Sequence, residues 1–388
     1  MKKGLLFLAL AALVCLTMQP LAATAAEEIP VGGIFDITGA TSKVGADYAK
    51  GVRAACDYVN SLGGVNGRMI NLESADYAYA IPKALNLYKK YVNVNKVFVI
   101  QGWGTGDTNA LTPKLKKDEV IFMSASYDAN LTNPANNPYN FFIGTDYSTS
   151  IRLAMQFAKD NGAKKVLFCY PDHPYGRAPI AAGKEYAQML GLEIGPDEMV
   201  DLTATDATQQ LLRMKKFAPD YVWLGGTTPS CAVVIKGAAS ILPEAKFLIN
   251  CWGFDSNLPL LAQGAAEGRA FGILPVVPYG ADVPGMKAMM AWTKGEPHTL
   301  HFVKGWVSVL VMAEGLKRAG DKLSGPGLKA ALETLTDFET GGLCAPITYT
   351  STDHRPNTTC GIGAIKDGKV VVLVGKVSMP REAKYIGN

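Results

Sequence analysis

Residues 29–67, IPVGGIFDITGATSKVGADYAKGVRAACDYVNSLGGVNG, contain the unit from which the fold can be argued. The run Ile29–Phe35 is rich in β-forming residues, and residues 45–62 repeat apolar side chains at helical spacing. Glycines at 63–64 predict the end of that helix, because glycine readily adopts the positive φ angles that follow a helix. A strand followed by an amphipathic helix is the repeating unit of α/β folds.

The same alternation continues along the chain in two series. In the first series, strands are predicted at 70–75, 97–100 and 120–123, with helices at 81–92 and 106–117. After a stretch rich in Pro and Asn at 133–140, helices are predicted at 147–161, 175–190 and 229–240, with strands at 165–169, 221–224 and 247–249. This alternation predicts parallel sheets covered by helices on both faces, and the break predicts two doubly wound lobes.

The N-terminus has the features of a secretory signal. A positive start at residues 1–3 precedes an uncharged apolar run at 4–18 and small residues that permit cleavage near Ala25 or Ala26. We therefore expect residues 1–26 to be a signal peptide and the protein to be periplasmic. A lipid anchor at Cys15 is the alternative, although the preceding valine is bulkier than lipidation signals usually allow.

Charge and length limit the function classes. The chain of 388 residues has a formal net charge of +4, and removal of the two leader lysines lowers it to +2. Because nucleic-acid-binding proteins usually carry clustered basic patches, this balance argues against a nucleic-acid partner. About 362 residues remain after the leader, which is more than one hydrophobic core usually serves, so two domains are expected.

The cysteines suggest one disulfide. Cys344 and Cys360 flank a turn-rich stretch, and a hairpin centred near Thr352 would bring them face to face in a compartment that permits disulfides. The other cysteines outside the leader lie in apolar contexts and are expected to be buried thiols: Cys56, Cys169, Cys231 and Cys251.

Motifs of catalysis are missing from the sequence. It contains no G-x-S-x-G, H-E-x-x-H or C-x-x-C motif, and no third ligand accompanies the pair His298 and His301. We therefore expect no enzymatic activity, no cofactor and no metal ion. A secreted enzyme on the same scaffold is the alternative from a different class.

Two glycine- and hydroxyl-rich loops follow predicted strands. Residues 101–108, QGWGTGDT, would present backbone N–H groups at a helix start, which suits a carboxylate or another acceptor. Asp107 replaces the last glycine of a nucleotide-binding motif and would repel a pyrophosphate. Residues 225–230, GGTTPS, repeat the arrangement in the second series. Since ligands of such sheets bind beyond the carboxyl ends of the strands, two facing loops would hold one small molecule.

Several short motifs together resemble a known family. They are Asn60 with Gly63-Gly64-Val65-Asn66-Gly67, Leu131-Thr132, Asp172 with Tyr175-Gly176, Gly225-Gly226, and Ala266-Glu267-Gly268. In their order, the chain resembles the type I periplasmic substrate-binding proteins of ABC transporters, in the branched-chain amino acid and amide-binding, leucine-binding protein-like branch. The resemblance implies three crossings between lobes, near Asp146, Pro275 and Thr350. Lobe 1 would then contain residues 27–146 and 276–350, and lobe 2 residues 147–275 and 351–388.

The resemblance also implies a ligand site in the cleft. The carboxylate-binding loop falls on Trp103, Gly104 and Thr105, a second patch on Ser126 and Tyr127, and an aromatic of the second lobe on Tyr175. From their positions at strand ends, lobe boundaries and aromatic surfaces, four further residues are expected at the site: Tyr147, Thr227, Trp252 and Asp255.

One departure from the family affects the ligand. Amino acid binders carry an acidic residue where this chain has Ser230, and a buried ammonium without a counter-charge is costly. Asp255, Asp36 or Asp107 could substitute. We expect a monomeric receptor that delivers an amino acid, amide, or aliphatic or aromatic carboxylate to ABC permease subunits in the membrane. A ligand-sensing subunit of a signalling receptor is the closer alternative.

Overall fold

Two β-sheets organise the chain, and the computed structural model describes residues 28–388. The first sheet has strand order β2-β1-β3-β4-β5 and is parallel throughout. Its strands are β1 (Ile29–Phe35), β2 (Ile70–Asp76), β3 (Val99–Gln101), β4 (Ile121–Met123) and β5 (Asn140–Phe141). The helices that connect these strands are α1 (Ser42–Ser61), α2 (Ile81–Asn93) and α3 (Thr105–Asp118). The predicted first series is therefore present, and α1 ends before Gly63 and Gly64, whose φ angles are +96° and +71°.

The second series forms most of a second sheet. Its elements are α4 (Tyr147–Asp160), β6 (Lys165–Tyr170), α5 (Pro174–Arg177), α6 (Ile180–Met189), β7 (Glu193–Ile194), β8 (Glu198–Met199), α7 (Thr208–Phe217), β9 (Tyr221–Leu224), α8 (Thr228–Ile241), β10 (Lys246–Ile249), α9 (Leu258–Leu261) and β11 (Ala270–Leu274). The single helix predicted at 175–190 is wrong: α5 and α6 are separate. Pro179 lies between them, and proline interrupts a helix because it has no backbone N–H and clashes with the preceding turn.

The last part of the chain adds two strands to the second sheet and a long helix to the first unit. It contains α10 (Pro284–Trp292), α11 (Leu300–Ala319), α12 (Gly325–Leu332), β12 (Thr359–Lys366) and β13 (Lys369–Ser378). A short 3₁₀ turn at Ala383–Tyr385 follows β13, and another at Ala129–Thr132 lies between β4 and β5. The second sheet has the order β13-β12-β11-β10-β9-β6-β7, and β8 also pairs with β6. Strand β12 is antiparallel to both β11 and β13, so an antiparallel edge adjoins the parallel strands.

Helix α11 returns to the first sheet and packs against α1. A Cβ atom on Gly51 would lie 2.1 Å from the carbonyl oxygen of Phe302, and one on Gly305 would lie 2.2 Å from that of Tyr48. The two backbones approach so closely that only glycine fits at these positions. We call the first sheet with α1–α3 and α11 the first unit, and the second sheet with α4–α9 the second unit. The lobe boundaries given above stay a prediction.

The predicted disulfide between Cys344 and Cys360 is wrong in this structure, where both are free thiols. A short antiparallel turn forms near the predicted centre, where Thr350 pairs with Asp353, but the pairing does not extend to the cysteines. Ile347 pairs instead with Phe338, and Cys344 pairs with Val276. Cys360 instead lies in β12 opposite Val377.

The signal peptide and its cleavage near Ala25 or Ala26 fall outside the described residues. Among helices of residues 28–388, none has the length and apolar character needed to cross a membrane.

Candidate functional site

Loops from both units meet around one small cavity. Helix α3 begins at Thr105, directly after the glycine-rich loop that follows β3, and the loop after β4 adds Ala125. The second unit contributes the loops after β6, β9 and β10. The cavity has a volume of about 20 Å³ and is lined by Thr41, Tyr79, Trp103, Gly104, Thr105, Ala125, Tyr147, Tyr175, Thr227 and Trp252. The site thus lies at the carboxyl ends of parallel strands, where such folds collect their ligands.

Hydrogen bonds fix the side chains of the first unit. The indole Nε1 of Trp103 donates to Thr41 Oγ1 at 2.8 Å, and Thr41 Oγ1 donates to Asp36 Oδ2 at 2.6 Å. The hydroxyls of Thr105 and Ser126 lie 2.8 Å apart and share a hydrogen bond. Because Thr105 opens α3, the N–H groups of this first turn have no acceptor inside the helix and carry its positive end. This wall can therefore hold an acceptor-rich group.

The second unit presents aromatic rings with equally fixed positions. Tyr175 OH donates to the Gly226 carbonyl oxygen at 3.0 Å, and Trp252 Nε1 donates to Tyr147 OH at 2.9 Å. Thr227 precedes the first residue of α8, so a second helix N-terminus reaches the cavity. Both hydrogen bonds are buried, and they hold the two rings in one orientation.

The rings of the two units contact each other across the cavity. The Trp103 and Trp252 ring centroids are 4.8 Å apart at 71°, and Tyr127 lies 5.7 Å from Trp252. Tyr147 and Tyr175 meet edge to face at 5.6 Å. A volume of about 20 Å³ accommodates about one water molecule, whereas small-molecule pockets usually measure roughly 300–1,000 Å³. Entry of a larger molecule therefore requires these rings, and the units that carry them, to separate.

The structure brings most of the predicted site residues to this cavity: Trp103, Gly104, Thr105, Tyr147, Tyr175, Thr227 and Trp252 all line it. Ser126 stands one hydrogen bond behind Thr105, and Tyr127 packs on Trp252. Asp255 does not line the cavity. Whether any of these residues binds a ligand stays a prediction.

Tyr79 is a cavity residue that the sequence analysis missed. It has a φ of +57° and follows Ala78 at +52°, so two consecutive non-glycine residues adopt the left-handed conformation. Its ring crosses to the second unit and stacks on His173 at 5.0 Å. Such backbone is costly for residues with a Cβ atom, and no residue pattern marks it in the sequence. Its place in the sequence, three residues after the end of β2, was the one feature that could have suggested a position at the carboxyl edge of the sheet.

Ser230 and Asp255, which the sequence analysis considered in connection with a ligand ammonium group, both make hydrogen bonds within the protein. Ser230, at the position of the missing acid, accepts from the Thr227 N–H at 3.1 Å. Asp255 accepts from Thr228 Oγ1 at 2.8 Å, His301 Nε2 at 2.9 Å and the Asn257 N–H at 2.7 Å. These residues cap and connect elements of the fold.

Asp107 is the exception among these acids. Its Oδ1 accepts from Tyr77 OH at 2.7 Å, whereas its buried Oδ2 has no hydrogen-bond partner. Burial raises the pKa of Asp107 to about 7, against the opposing effect of the Tyr77 hydrogen bond. Asp107 does not line the cavity either, but it has a carboxyl oxygen without a partner and lies beside Gly104 of the glycine-rich loop.

The two histidines that the sequence places three residues apart have separate partners. His298 stacks on Phe302 at 3.8 Å, whereas His301 hydrogen-bonds to Asp255. Within the described part of the chain, no cluster of three or more His, Cys, Asp or Glu side chains is arranged to hold a metal ion.

Comparison with known proteins identifies a family for this chain. The model of the family described as "Periplasmic binding protein" matches residues 28–369. A "Leu/Ile/Val-binding protein homolog 2" of Brucella abortus is 26% identical over 258 residues, which are 66% of this chain and 69% of the relative. The family match spans all of the first sheet and every strand of the second sheet except β13, which begins at residue 369.

Two solved structures have the same fold over almost the whole chain. An ABC transporter substrate-binding protein from Aeropyrum pernix superposes with a TM-score of 0.85 at 31% identity, covering 93% of this chain and 99% of its own. A fatty acid ABC transporter substrate-binding protein from Thermomonospora curvata gives 0.83 at 22% identity, covering 92% and 94%. At the latter identity the likeness shows the fold alone.

Proposed function

Because this chain belongs to the periplasmic binding protein family, we propose that it is an extracytoplasmic solute receptor that binds a small molecule between its two units and delivers it to an ABC permease. The signal-like N-terminus supports export, with cleavage near Ala25 or Ala26. The family is one of solute-binding receptors, and we propose no catalytic step for this member.

The single observation that supports the proposal is a cavity lined by residues of both units. Backbone N–H groups of α3 and the hydroxyl of Thr105 approach it from the first unit, and the rings of Tyr175 and Trp252 approach it from the second. A ligand held by both walls favours the closed arrangement over the open one, because only the closed arrangement makes both sets of contacts. A permease that recognises the closed form would then receive loaded protein.

We propose that the ligand is an aliphatic or aromatic carboxylate or amide. Its acceptor-rich head would bind at Thr105, whose hydroxyl is held by Ser126, and its apolar body would lie against Tyr175 and Trp252. Two residues support this preference, because Ser230 carries no charge and the carboxylate of Asp255 is already hydrogen-bonded to His301. The fatty acid receptor from Thermomonospora curvata named above provides a precedent on the same fold.

A branched-chain amino acid is the second candidate. The name of the Brucella relative supports it, and so does the unpartnered Oδ2 of Asp107. In this case Asp107, and not Asp255, would be the counter-charge for the ammonium group. Only the amino acid candidate requires the carboxylate of Asp107, so substitution of Asp107 distinguishes the two.

A thermal-shift panel tests the proposal and separates the candidates. Phenylacetate, benzamide, butyrate, leucine and valine would each be added to the purified protein, because a ligand at a hundred times its dissociation constant adds about 2.7 kcal/mol to stability. We expect the acids or the amide to raise the melting temperature. Thr105→Val should reduce the shift, and Thr112→Val, in the same helix but outside the cavity lining, should preserve it.

Two outcomes would count against these proposals. If leucine or valine stabilises the protein and the acids do not, the argument from the missing acid is wrong, and Asp107→Asn should then abolish the shift. If a stabilising compound is converted to product over hours of incubation, the receptor proposal itself fails.

A further inference from the structure

A buried group of charged side chains joins the two units outside the cavity lining. Helix α11 of the first unit carries His301 and Lys304 in its first turns, and both are completely buried. Lys304 Nζ donates to the Cys251 carbonyl oxygen at 2.5 Å and to His301 Nδ1 at 3.3 Å. It also lies 3.9 Å from the ring centroid of Trp252. The ammonium group thus has two hydrogen-bond acceptors and also faces an aromatic ring.

The protonation states follow from these contacts. Since His301 Nδ1 accepts from Lys304, its Nε2 carries the hydrogen and donates to Asp255 Oδ2 at 2.9 Å. A neutral imidazole therefore separates one ammonium from one carboxylate, and the group has no net charge. Removing one member of such a buried pair leaves the other charge uncompensated, which is costly.

This group also supports the wall of the cavity. The His301 ring stacks on Trp252 at 5.3 Å with an angle of 21° between the planes. Trp252 thus contacts His301 and Lys304 while it lines the cavity, and its Nε1 is held by Tyr147. The position of Trp252 depends on both units.

We propose that Lys304 and His301 are positioning residues of the ligand site, which latch helix α11 to the loop 251–255 when the units close and hold Trp252 in place as the cavity wall. This inference rests on the proposed receptor function in one respect, namely that the two units open and close around a ligand. Closing the cleft then includes forming this buried group, so part of the preference for the closed arrangement comes from the protein itself.

The latch has a pH dependence with a definite sign. Three charged residues face His301: Asp255 in the loop after β10, Asp47 in α1, and Lys304 in the same helix. Lys304 also contacts Cys251. Burial, followed by the charge of Lys304, lowers the pKa of His301. Opening would expose the ring, which would then protonate near its ordinary pKa of about 6.5. Closure should therefore weaken as the pH falls through about 6.5, while Lys304, whose pKa burial lowers to about 8, stays charged.

The test uses the full chain without any added ligand. Lys304→Met keeps the length of the side chain and removes its charge and hydrogen bonds, and Lys317→Met is a matched control in the exposed last turn of the same helix. In hydrogen-exchange mass spectrometry, we expect residues 251–255 and 300–304 to exchange about tenfold faster in Lys304→Met, which corresponds to about 1.4 kcal/mol. Strands β1 and β3 should exchange as in wild type, and so should every segment of the control.

Small-angle scattering of the wild type provides the second readout. We expect the radius of gyration to increase between pH 7.5 and pH 5.5, to stay constant in His301→Gln, and to respond normally in His298→Asn. Unchanged exchange in Lys304→Met would overturn the inference, and so would a wild-type radius that is independent of pH. A pH-independent wild-type radius overturns the inference even if a variant does not fold, and the pair His301→Gln and His298→Asn assigns a pH response to His301 rather than to another group. Because neither readout involves a ligand, failure of the latch is distinguishable from failure of the receptor proposal.

Discussion

The carboxyl group of Asp107 lies directly behind the backbone of the glycine-rich loop. A Cβ atom on Gly104 would be 2.3 Å from Asp107 Oδ1, so glycine at position 104 is what allows the carboxyl group to approach. Burial raises its pKa to about 7, and nearby Asp36 adds to the effect. The native protein therefore holds this proton over a pH range in which the unfolded chain has released it.

Substitution Asp107→Asn should make stability less dependent on pH. Because the pKa is raised in the folded state, Asp107 lowers the free energy of unfolding as the pH rises from about 4 to about 7, and the cost is complete above that range. Between pH 4.5 and pH 8, we expect the unfolding free energy of the wild type to fall by about 2 to 4 kcal/mol relative to that of Asp107→Asn. Urea denaturation at the two pH values measures it. The exposed substitution Asp57→Asn should not have this effect, and equal pH slopes in wild type and Asp107→Asn would contradict the assignment.

Individual site residues were predictable where local sequence determines backbone. Trp103 and Thr105 could be found because glycines follow a recognisable strand and precede a helix. Tyr79 was not predictable in this way, since its left-handed backbone is held by tertiary contacts. Lys304 and His301 lie about fifty residues from Cys251 and Asp255, and only the packing of α11 brings them together.

Helices α1 and α11 depend on the absence of a side chain at their contact. Gly305→Ala would place a Cβ atom 2.2 Å from the backbone oxygen of Tyr48, which cannot move independently of its helix. Overpacking of this kind usually costs about 1–3 kcal/mol, more than the roughly 1 kcal/mol gained from helix propensity. We expect a lower melting temperature, measured by circular dichroism.

Gly237→Ala in helix α8 is the matched control. Its Cβ atom would meet only the end of the flexible Leu211 side chain, so we expect unchanged or slightly higher stability. If both substitutions lower the melting temperature equally, close backbone packing is not the reason for glycine at 305.

Local sequence pattern predicted most of the helices and strands in the part of the chain where strands and helices alternate. Strand β9 at 221–224 agrees with the prediction, whereas the predicted helix at 175–190 is divided by a proline within it. The antiparallel strands β12 and β13 were not predicted. Strand β12 pairs with β11 only after the intervening chain has returned to the first unit, and no local pattern specifies a partner that distant.

Across the whole molecule, every cysteine in the described chain is a buried, free thiol, six in all. Burial raises the pKa of Cys251 to about 11 and those of Cys56, Cys231 and Cys344 to about 12. Since the thiolate is the reactive form, we expect almost no reaction with a disulfide reagent in the native protein and six equivalents after denaturation in the mature chain. Thiol titration without reductant measures this. Two missing equivalents that reductant restores would show that the disulfide forms after all.

The rings that meet in the cleft also act as an internal competitor for any solute. To enter, a molecule must replace contacts such as that between Trp103 and Trp252, and aromatic pairs of this kind contribute about 0.5–1.5 kcal/mol each beyond the area they bury. Binding is then an exchange of one partner for another, and the measured affinity is a difference between two sets of contacts. A small solute such as acetate would have to separate the same rings, and it would make fewer contacts than those it displaces. For the proposed receptor, we therefore expect discrimination against small molecules to follow from the contacts that the protein's own side chains make with one another.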